Sequence, residues 1–145
     1  MTRSAPWGVV VDTSAVVAVY DREEWAEPLE RWMKNVPLRL ISAATLVELG
    51  LVLGRSVSDV DRTVRDTVLR LDLTVVDVDE EHARAALMAW QTFGRGRHPA
   101  RLNFGDCFTY AAAAISGLPI LCTGEAFRRT DIPVVDLSQI GRAHV

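Results

Sequence analysis

Short valine-, leucine- and isoleucine-rich runs alternate along this chain with stretches of helical periodicity, and that alternation restricts the fold more than any other feature. Residues 8–12, GVVVD, read as a buried strand that ends in a carboxylate. Helical stretches follow at 14–20 and 24–35, then a strand at 38–41. Residues 43–53 read as helix closed by Gly54, and 57–71 as an amphipathic helix with Val57, Val60, Val64, Val68 and Leu71 on one face. A valine-rich strand is expected at 74–78 and a helix at 80–92. Residues 94–101, GRGRHPAR, read as a flexible basic loop. A helix at 103–116 ends at Gly117, and short late strands fall at 120–123 and 133–135. The pattern predicts an α/β fold in three layers, a central, mainly parallel sheet flanked by helices. In such sheets ligands bind beyond the carboxyl ends of the strands. Asp12, Thr123 and Glu125 stand at such ends.

A chain of 145 residues, 49% hydrophobic, is expected to make one domain over 1–145 with a core that needs no disulfides. No apolar run is long enough to cross a bilayer, and the opening MTRSAPWGVVVD does not read as a signal peptide, so a cytoplasmic location is expected. Cys107 and Cys122 lie in apolar surroundings without CxxC spacing and are expected to be buried free thiols. Lys34 is the only lysine, which disfavours lysine chemistry and leaves no GxxxxGK phosphate loop. A net charge of −3 counts against nucleic-acid binding unless the negative charge is gathered in a metal site.

Four acids stand out. Asp12 ends an apolar strand beside two hydroxyls, which suits a hard cation and equally suits a helix N-cap. Glu48 is the only charged residue from 40 to 54, with Ala44, Thr45, Leu51 and Val52 three and four positions away. Burying it requires a partner, a proton or a metal; exposing it requires nothing. Asp106, in NFGDC, reads either as a ligand or as the second half of a capping box begun by Asn103. Gly105 before it suggests a close approach. Glu125 reads as a solvated first-turn acid or a metal contact. The histidines show no ligand pattern: His82 is expected on a helix surface, His98 in the basic loop and His144 near the end.

Four segments in order, VVVDTSAVVAV at 9–19, ISAATLVELGLVL at 41–53, LNFGDCFTYAAA at 102–113 and LPILCTGEAFRRTDI at 118–132, together resemble the PIN-domain family, and within it the VapC-type toxins of bacterial toxin–antitoxin pairs. The resemblance implies a metal-dependent endoribonuclease in which Asp12, Glu48 and Asp106 hold Mg²⁺ or Mn²⁺. Ser14, Asn103 and Thr123 would be supporting polar contacts. The family's fourth acid, usually aspartate, falls on Glu125, and Ala126 follows where relatives often carry another acid. Crowded carboxylates repel one another, and a divalent cation relieves that repulsion while activating a water for attack on phosphorus. Such hydrolysis leaves a 5′-phosphate. Arg95, Arg97, His98 and Arg101, with Arg128 and Arg129 after Glu125, are candidates to hold RNA phosphates. The resemblance also implies a VapB-type antitoxin as partner and a homodimer. Trp25, Leu29 and Trp32, at i, i+4 and i+7, could pack a partner or the core.

Two other phosphoryl-transfer sites are disfavoured. A haloacid-dehalogenase-type site wants an aspartate where Ser14 stands. A response-regulator receiver wants an acidic pair near Asp12 and a late lysine. A catalytically weak PIN-like module that binds RNA or protein is the alternative from another class.

Overall fold

A computed structural model describes residues 5–142. Strand β1 (Gly8–Val11) leads directly into α1 (Thr13–Tyr20), and α2 (Ala26–Lys34) precedes β2 (Leu38–Ser42). Then come α3 (Ala43–Leu53), α4 (Val60–Arg70), β3 (Thr74–Val76), α5 (Glu80–Phe93), α6 (Phe104–Ser116), β4 (Ile120–Leu121), a 3₁₀ turn (Phe127–Arg129) and α7 (Leu137–Arg142). The sheet order is β3-β2-β1-β4, and all three pairings are parallel. Each crossover therefore carries helix, as the alternation in the sequence requires.

Strand residues send alternate side chains to opposite faces, and two cores result. Val9, Val11, Ile41 and Leu121 pack with α1, α2, α3 and α7 residues such as Val16, Leu29, Leu49 and Ile140. Val10, Leu40, Ile120 and Cys122 face the other way, against Ala86 and Ala89 of α5 and Ala111 and Ala112 of α6. Alanines on α5 and α6 let those helices pack closely on the sheet and on each other. The structure is thus the three-layer arrangement expected from the sequence.

Several boundaries differ from the sequence reading for local reasons. Helix α4 starts at Val60, not 57, because the Asp59 side chain accepts from the Arg62 N–H and caps it there. Strand β3 stops at Val76, since Asp79 caps α5 by accepting from the His82 N–H. The expected strand at 133–135 is a single parallel bridge, Ile120 to Val134. The basic segment is more ordered than a flexible loop. The Arg95 N–H donates to the Leu102 carbonyl and the Leu102 N–H to the Phe93 carbonyl, and both Arg97 and His98 N–H groups donate to the Gly94 carbonyl. Leu29 is buried and Trp32 packs against the first core, while Trp25 is 40% exposed. His82, expected on the surface, is buried, because the α5 period puts 82, 86 and 89 on one face. Its Nδ1 lacks a hydrogen-bond partner among the described residues. His144 lies outside the described residues.

Candidate metal centre

Strand β1 ends one residue before Asp12, and parallel pairing places that end beside the end of β4. The Asp12 N–H donates to the Leu121 carbonyl at 3.0 Å, which continues the ladder past the last strand residue. Asp12 is the N-cap of α1 and is 6% exposed. Its Oδ2 accepts from the Ser14 N–H at 3.1 Å and from the Ser14 hydroxyl at 2.8 Å. Its Oδ1 accepts from the Thr109 hydroxyl of α6 at 3.0 Å. Both carboxylate oxygens are thus held in place by side-chain or backbone donors. Ser14 in turn accepts from the Thr123 N–H at 3.1 Å, which ties the loop after β4 to α1. Thr123 contributes this backbone contact, and its side chain is exposed.

Glu48 projects from the middle of α3 and is half-buried. Its Oε1 accepts from the Thr13 hydroxyl. The carboxylate reaches α6 so closely that a Cβ on Gly105 would lie 1.9 Å from Glu48 Oε2. Glycine at 105 is therefore what lets an acid from α3 sit against the first turn of α6. Asp106 completes a capping box: Asn103 Oδ1 accepts from the Asp106 N–H at 2.8 Å, and Asp106 Oδ2 accepts from the Asn103 N–H at 3.0 Å. The capping reading of Asp106 is thus realised, and it uses one oxygen of the carboxylate.

Asp106 is affected by the other two acids. Asp106 is raised to about 6, first by burial; the Asn103 N–H opposes this, and the carboxylates of Asp12 and Glu48 raise it further. Arg95 offsets part of the repulsion. The Cys122 thiol is pushed up to about 12, first by burial and then by Asp12, with smaller effects of Asp106 and Glu125. Cys107 is likewise raised, to about 11. Both cysteines are free and buried, as expected.

Glu125 lies four residues past the end of β4. It is exposed, and its Oε1 lies 3.9 Å from Arg128 Nε. Arg128 also donates to the Val135 carbonyl. Among the described residues, no three acidic, histidine or cysteine side chains already form a closed ligand set. The donor chemistry nonetheless suits a hard divalent cation: carboxylate oxygens from three elements, with none of the three ion-paired to Arg or Lys among the described residues. Residual repulsion at Asp106 is what such a cation would relieve.

Sequence reasoning did not single out Thr13 and Thr109 as supports for the acids. Thr109 was findable: it is the hydroxyl on the buried face of an alanine-rich helix, three residues after Asp106. Its Oγ1 also lies 3.2 Å from the Thr45 hydroxyl, which joins α3 to α6 beneath the acids.

Of the cationic residues, Arg95, Arg97, His98 and Arg101 line one hollow of about 470 Å³. Arg97 places its guanidinium 4.2 Å from the centroid of the Trp90 ring. His98 Nδ1 accepts from the Ala100 N–H, and the ring packs edge-on to Phe93. Arg129 donates to the Pro99 carbonyl and links the 3₁₀ turn to this segment.

Comparison with known proteins gives a consistent result. The family model described as PIN domain matches residues 9–133. Ribonuclease VapC of Mycolicibacterium smegmatis is 42% identical over 128 residues, 88% of this chain and 99% of that protein. Ribonuclease VapC30 of Mycobacterium tuberculosis is 42% identical over 130 residues, 89% of this chain and 99% of that protein. Among solved structures, Mycobacterium tuberculosis VapC20, described as a sarcin-ricin loop cleaving toxin, superposes with a TM-score of 0.69 at 18% identity, over 88% of this chain and 98% of that one. DNA-bound VapBC from Salmonella typhimurium gives 0.68 at 21% identity, over 89% and 96%. The two structures show a shared fold.

Proposed function

The chain belongs to the PIN-domain family, among its VapC ribonucleases, and on that premise we propose that it is the toxin of a VapBC-type toxin–antitoxin pair, a divalent-metal-dependent endoribonuclease. The observation that carries the reading is that Asp12, Glu48 and Asp106 come from three separate segments to the same part of α6: Thr109 of α6 donates to Asp12, and the Glu48 carboxylate lies against Gly105, the neighbour of Asp106. We assign these three as the metal ligands, with Mg²⁺ or Mn²⁺ as the ion. Bound there, the ion supplies an activated water and offsets charge on the phosphate.

The chain's own residues prepare for that ion. Ser14 and Thr109 fix both oxygens of Asp12, and Thr13 fixes one of Glu48. Asn103 holds Asp106 by one oxygen. These bonds are made before substrate arrives, so little reorganisation is left for the reaction. Glu125 is assigned as an outer acid that contacts the site through water. Arg95, Arg97, Arg101 and Arg128 hold phosphates of the RNA, with Arg128 sharing its charge with Glu125. A VapB-type antitoxin covers the site in the resting pair, and the toxin acts as a homodimer. Exposed Trp25 at the start of α2 is a contact for one of these partners. Among the described residues no helix is long and apolar enough to cross a membrane, and a cytoplasmic location is proposed with the reading.

The test is direct. The chain, freed of antitoxin, is incubated with total bacterial RNA in Mg²⁺, Mn²⁺ or chelator, and new ends are mapped by sequencing. Discrete cuts are expected with metal, none with chelator and none in Asp12→Asn. Cutting should persist, weakened, in Glu125→Ala. A folded chain that binds RNA but cuts nothing under either metal would make it a binding module instead.

A further inference from the structure

Thr45 of α3 and Thr109 of α6 are both fully buried, and their Oγ1 atoms stand 3.2 Å apart. Thr109 Oγ1 also lies 3.0 Å from Asp12 Oδ1. These contacts fix the order of the protons. An ionised carboxylate, the form that binds a cation, only accepts, so Thr109 is the donor to Asp12. A hydroxyl has one proton, and that of Thr109 is then committed, so Thr45 is the donor in the remaining bond. The chain runs from Thr45 to Thr109 to Asp12 and has one direction. Thr45 stands three residues before Glu48 on α3, and Thr109 three residues after Asp106 on α6. One bond therefore joins the helices that carry Glu48 and Asp106, about a turn from each acid. On Asp12, Oδ2 accepts from both the N–H and the hydroxyl of Ser14, which fills its two lone pairs. Oδ1 accepts from Thr109, and so keeps an acceptor site for a cation.

We propose that Thr45 and Thr109 are positioning residues for the cation: Thr109 sets the direction of Asp12 Oδ1, and Thr45, which bonds to none of the acids, holds the Thr109 proton on that oxygen. This rests on the assignment of Asp12, Glu48 and Asp106 as ligands given above. A threonine hydroxyl in a helix has another acceptor within reach, the carbonyl three or four positions earlier. Thr67 of α4 makes that bond, to the Thr63 carbonyl at 2.8 Å. At Thr109 a donor from Thr45 occupies one side of the oxygen and favours the proton directed at Asp12. Hydrogen bonds in such a chain polarise one another, so the first donor strengthens the second bond. A fastener between α3 and α6 would need only the bond between the two threonines; here the chain goes on to the acid.

The experiment measures Mn²⁺ binding to the full chain, free of antitoxin and RNA, by electron paramagnetic resonance, with the melting temperature recorded in chelator. Thr109→Val keeps the shape and removes the hydroxyl, and is expected to raise the Mn²⁺ Kd roughly ten- to a hundredfold. Thr45→Val should raise it about three- to tenfold, the scale of one hydrogen bond. Thr45→Ser and Thr109→Ser keep the hydroxyl and should restore wild-type binding. The double variant Thr45→Val, Thr109→Val should bind no more weakly than Thr109→Val alone, because Thr45 acts through Thr109. Thr67→Val removes a different buried hydroxyl and should lower the melting temperature with Kd unchanged. An unchanged Kd in both single valine variants overturns the proposal, whatever their melting temperatures. So do losses that simply add in the double variant, or serine variants as weak as the valine ones. Should Thr109→Val not fold, Thr45→Val against Thr45→Ser decides by the same criteria. A wild type that binds Mn²⁺ and cuts RNA, with Kd indifferent to both threonines, refutes this proposal alone. Threonine-dependent Mn²⁺ binding in a chain that cuts no RNA supports it and refutes the ribonuclease reading. A wild type that binds no Mn²⁺ overturns both.

Discussion

At the scale of single residues, the contact between Gly105 and Glu48 reverses an ordinary expectation. Replacing glycine by alanine inside a helix normally stabilises by about 1 kcal/mol. Here the new Cβ would meet Glu48 Oε2 at 1.9 Å, its Cδ at 2.7 Å and its Oε1 at 3.1 Å, all at the end of one flexible side chain. The flexible carboxylate moves and the helix stays. Gly105→Ala is therefore expected to keep its melting temperature within a few degrees while cutting falls by about a hundredfold, the scale of a misplacement near 1 Å. Full activity in a thermal and cleavage comparison would show that Glu48 is not needed where it stands. Asp106 gives a second residue-scale prediction. Its carboxyl is raised above the usual value of 3.8 to about 6, chiefly by burial and then by Asp12 and Glu48. The unfolded chain releases that proton more readily, so this contribution to stability is full below pH 3.8 and is lost as pH rises through about 6. In chelator, the melting temperature of the wild type relative to Asp106→Asn should fall between pH 4 and 7. Mg²⁺ should flatten the fall. A difference independent of pH in chelator would mean that the Asp106 carboxyl is not raised by its surroundings in the fold.

At the scale of elements, the junction of β1 and α1 gives one side chain two jobs. Asp12 caps α1 through the Ser14 N–H and is also proposed as a ligand. Asparagine caps as well as aspartate but binds a cation poorly; alanine does neither. Asp12→Asn should thus abolish cutting at nearly wild-type stability, whereas Asp12→Ala should also lose about 1 kcal/mol, a few degrees by calorimetry. Equal stability of the two variants would show that the cap contributes nothing. The same junction explains what could be read in advance. A strand that ends in an acid, and a capping box at 103–106, are written in short local patterns, so Asp12, Asn103 and Asp106 were legible. Long side chains crossing between elements were not. Arg39 of β2 looks like the outward residue of an alternating strand. It is buried, and its guanidinium donates to the carbonyls of Met33, in the last turn of α2, and of Val36, and pairs with Asp72 at 3.1 Å. Its head adds a side-chain donor to the Met33 carbonyl, which also accepts from the Val36 N–H at the helix end. His82 misled for a related reason: helical phase, not polarity, decided its burial. Thr109 could be picked out from its place on α6, but its partner could not: the bond to Asp12 spans 97 residues.

At the scale of the whole molecule, a chain of net charge −3 that binds a polyanion must confine its negative charge. The fold does so by direction. The acids gather at the carboxyl ends of β1 and in the facing turns of α3 and α6, while Arg95, Arg97 and Arg101 project together from the α5–α6 connection. None of these three arginines is ion-paired with an acid among the described residues, in contrast to Arg62, Arg65 and Arg84 on α4 and α5, which pair within their helices. Arginines without carboxylate partners remain available to displace counterions from RNA, and each phosphate so neutralised contributes about −0.7 to the slope of log K against log salt for a single strand. Reversing Arg97 and Arg101 to Glu should therefore weaken binding of a single-stranded oligoribonucleotide and make its slope shallower by at least about 1.4, even where the acids are intact. Withdrawing Mg²⁺ should weaken binding differently. The uncompensated acids then repel the strand, so affinity falls although every arginine is in place. The double reversal combined with chelator should consequently lose more affinity than either alone, in a titration monitored by anisotropy across a salt series. An unchanged slope in the Arg97→Glu, Arg101→Glu chain would place the phosphate contacts elsewhere and leave the arginine-lined hollow without a part in RNA binding.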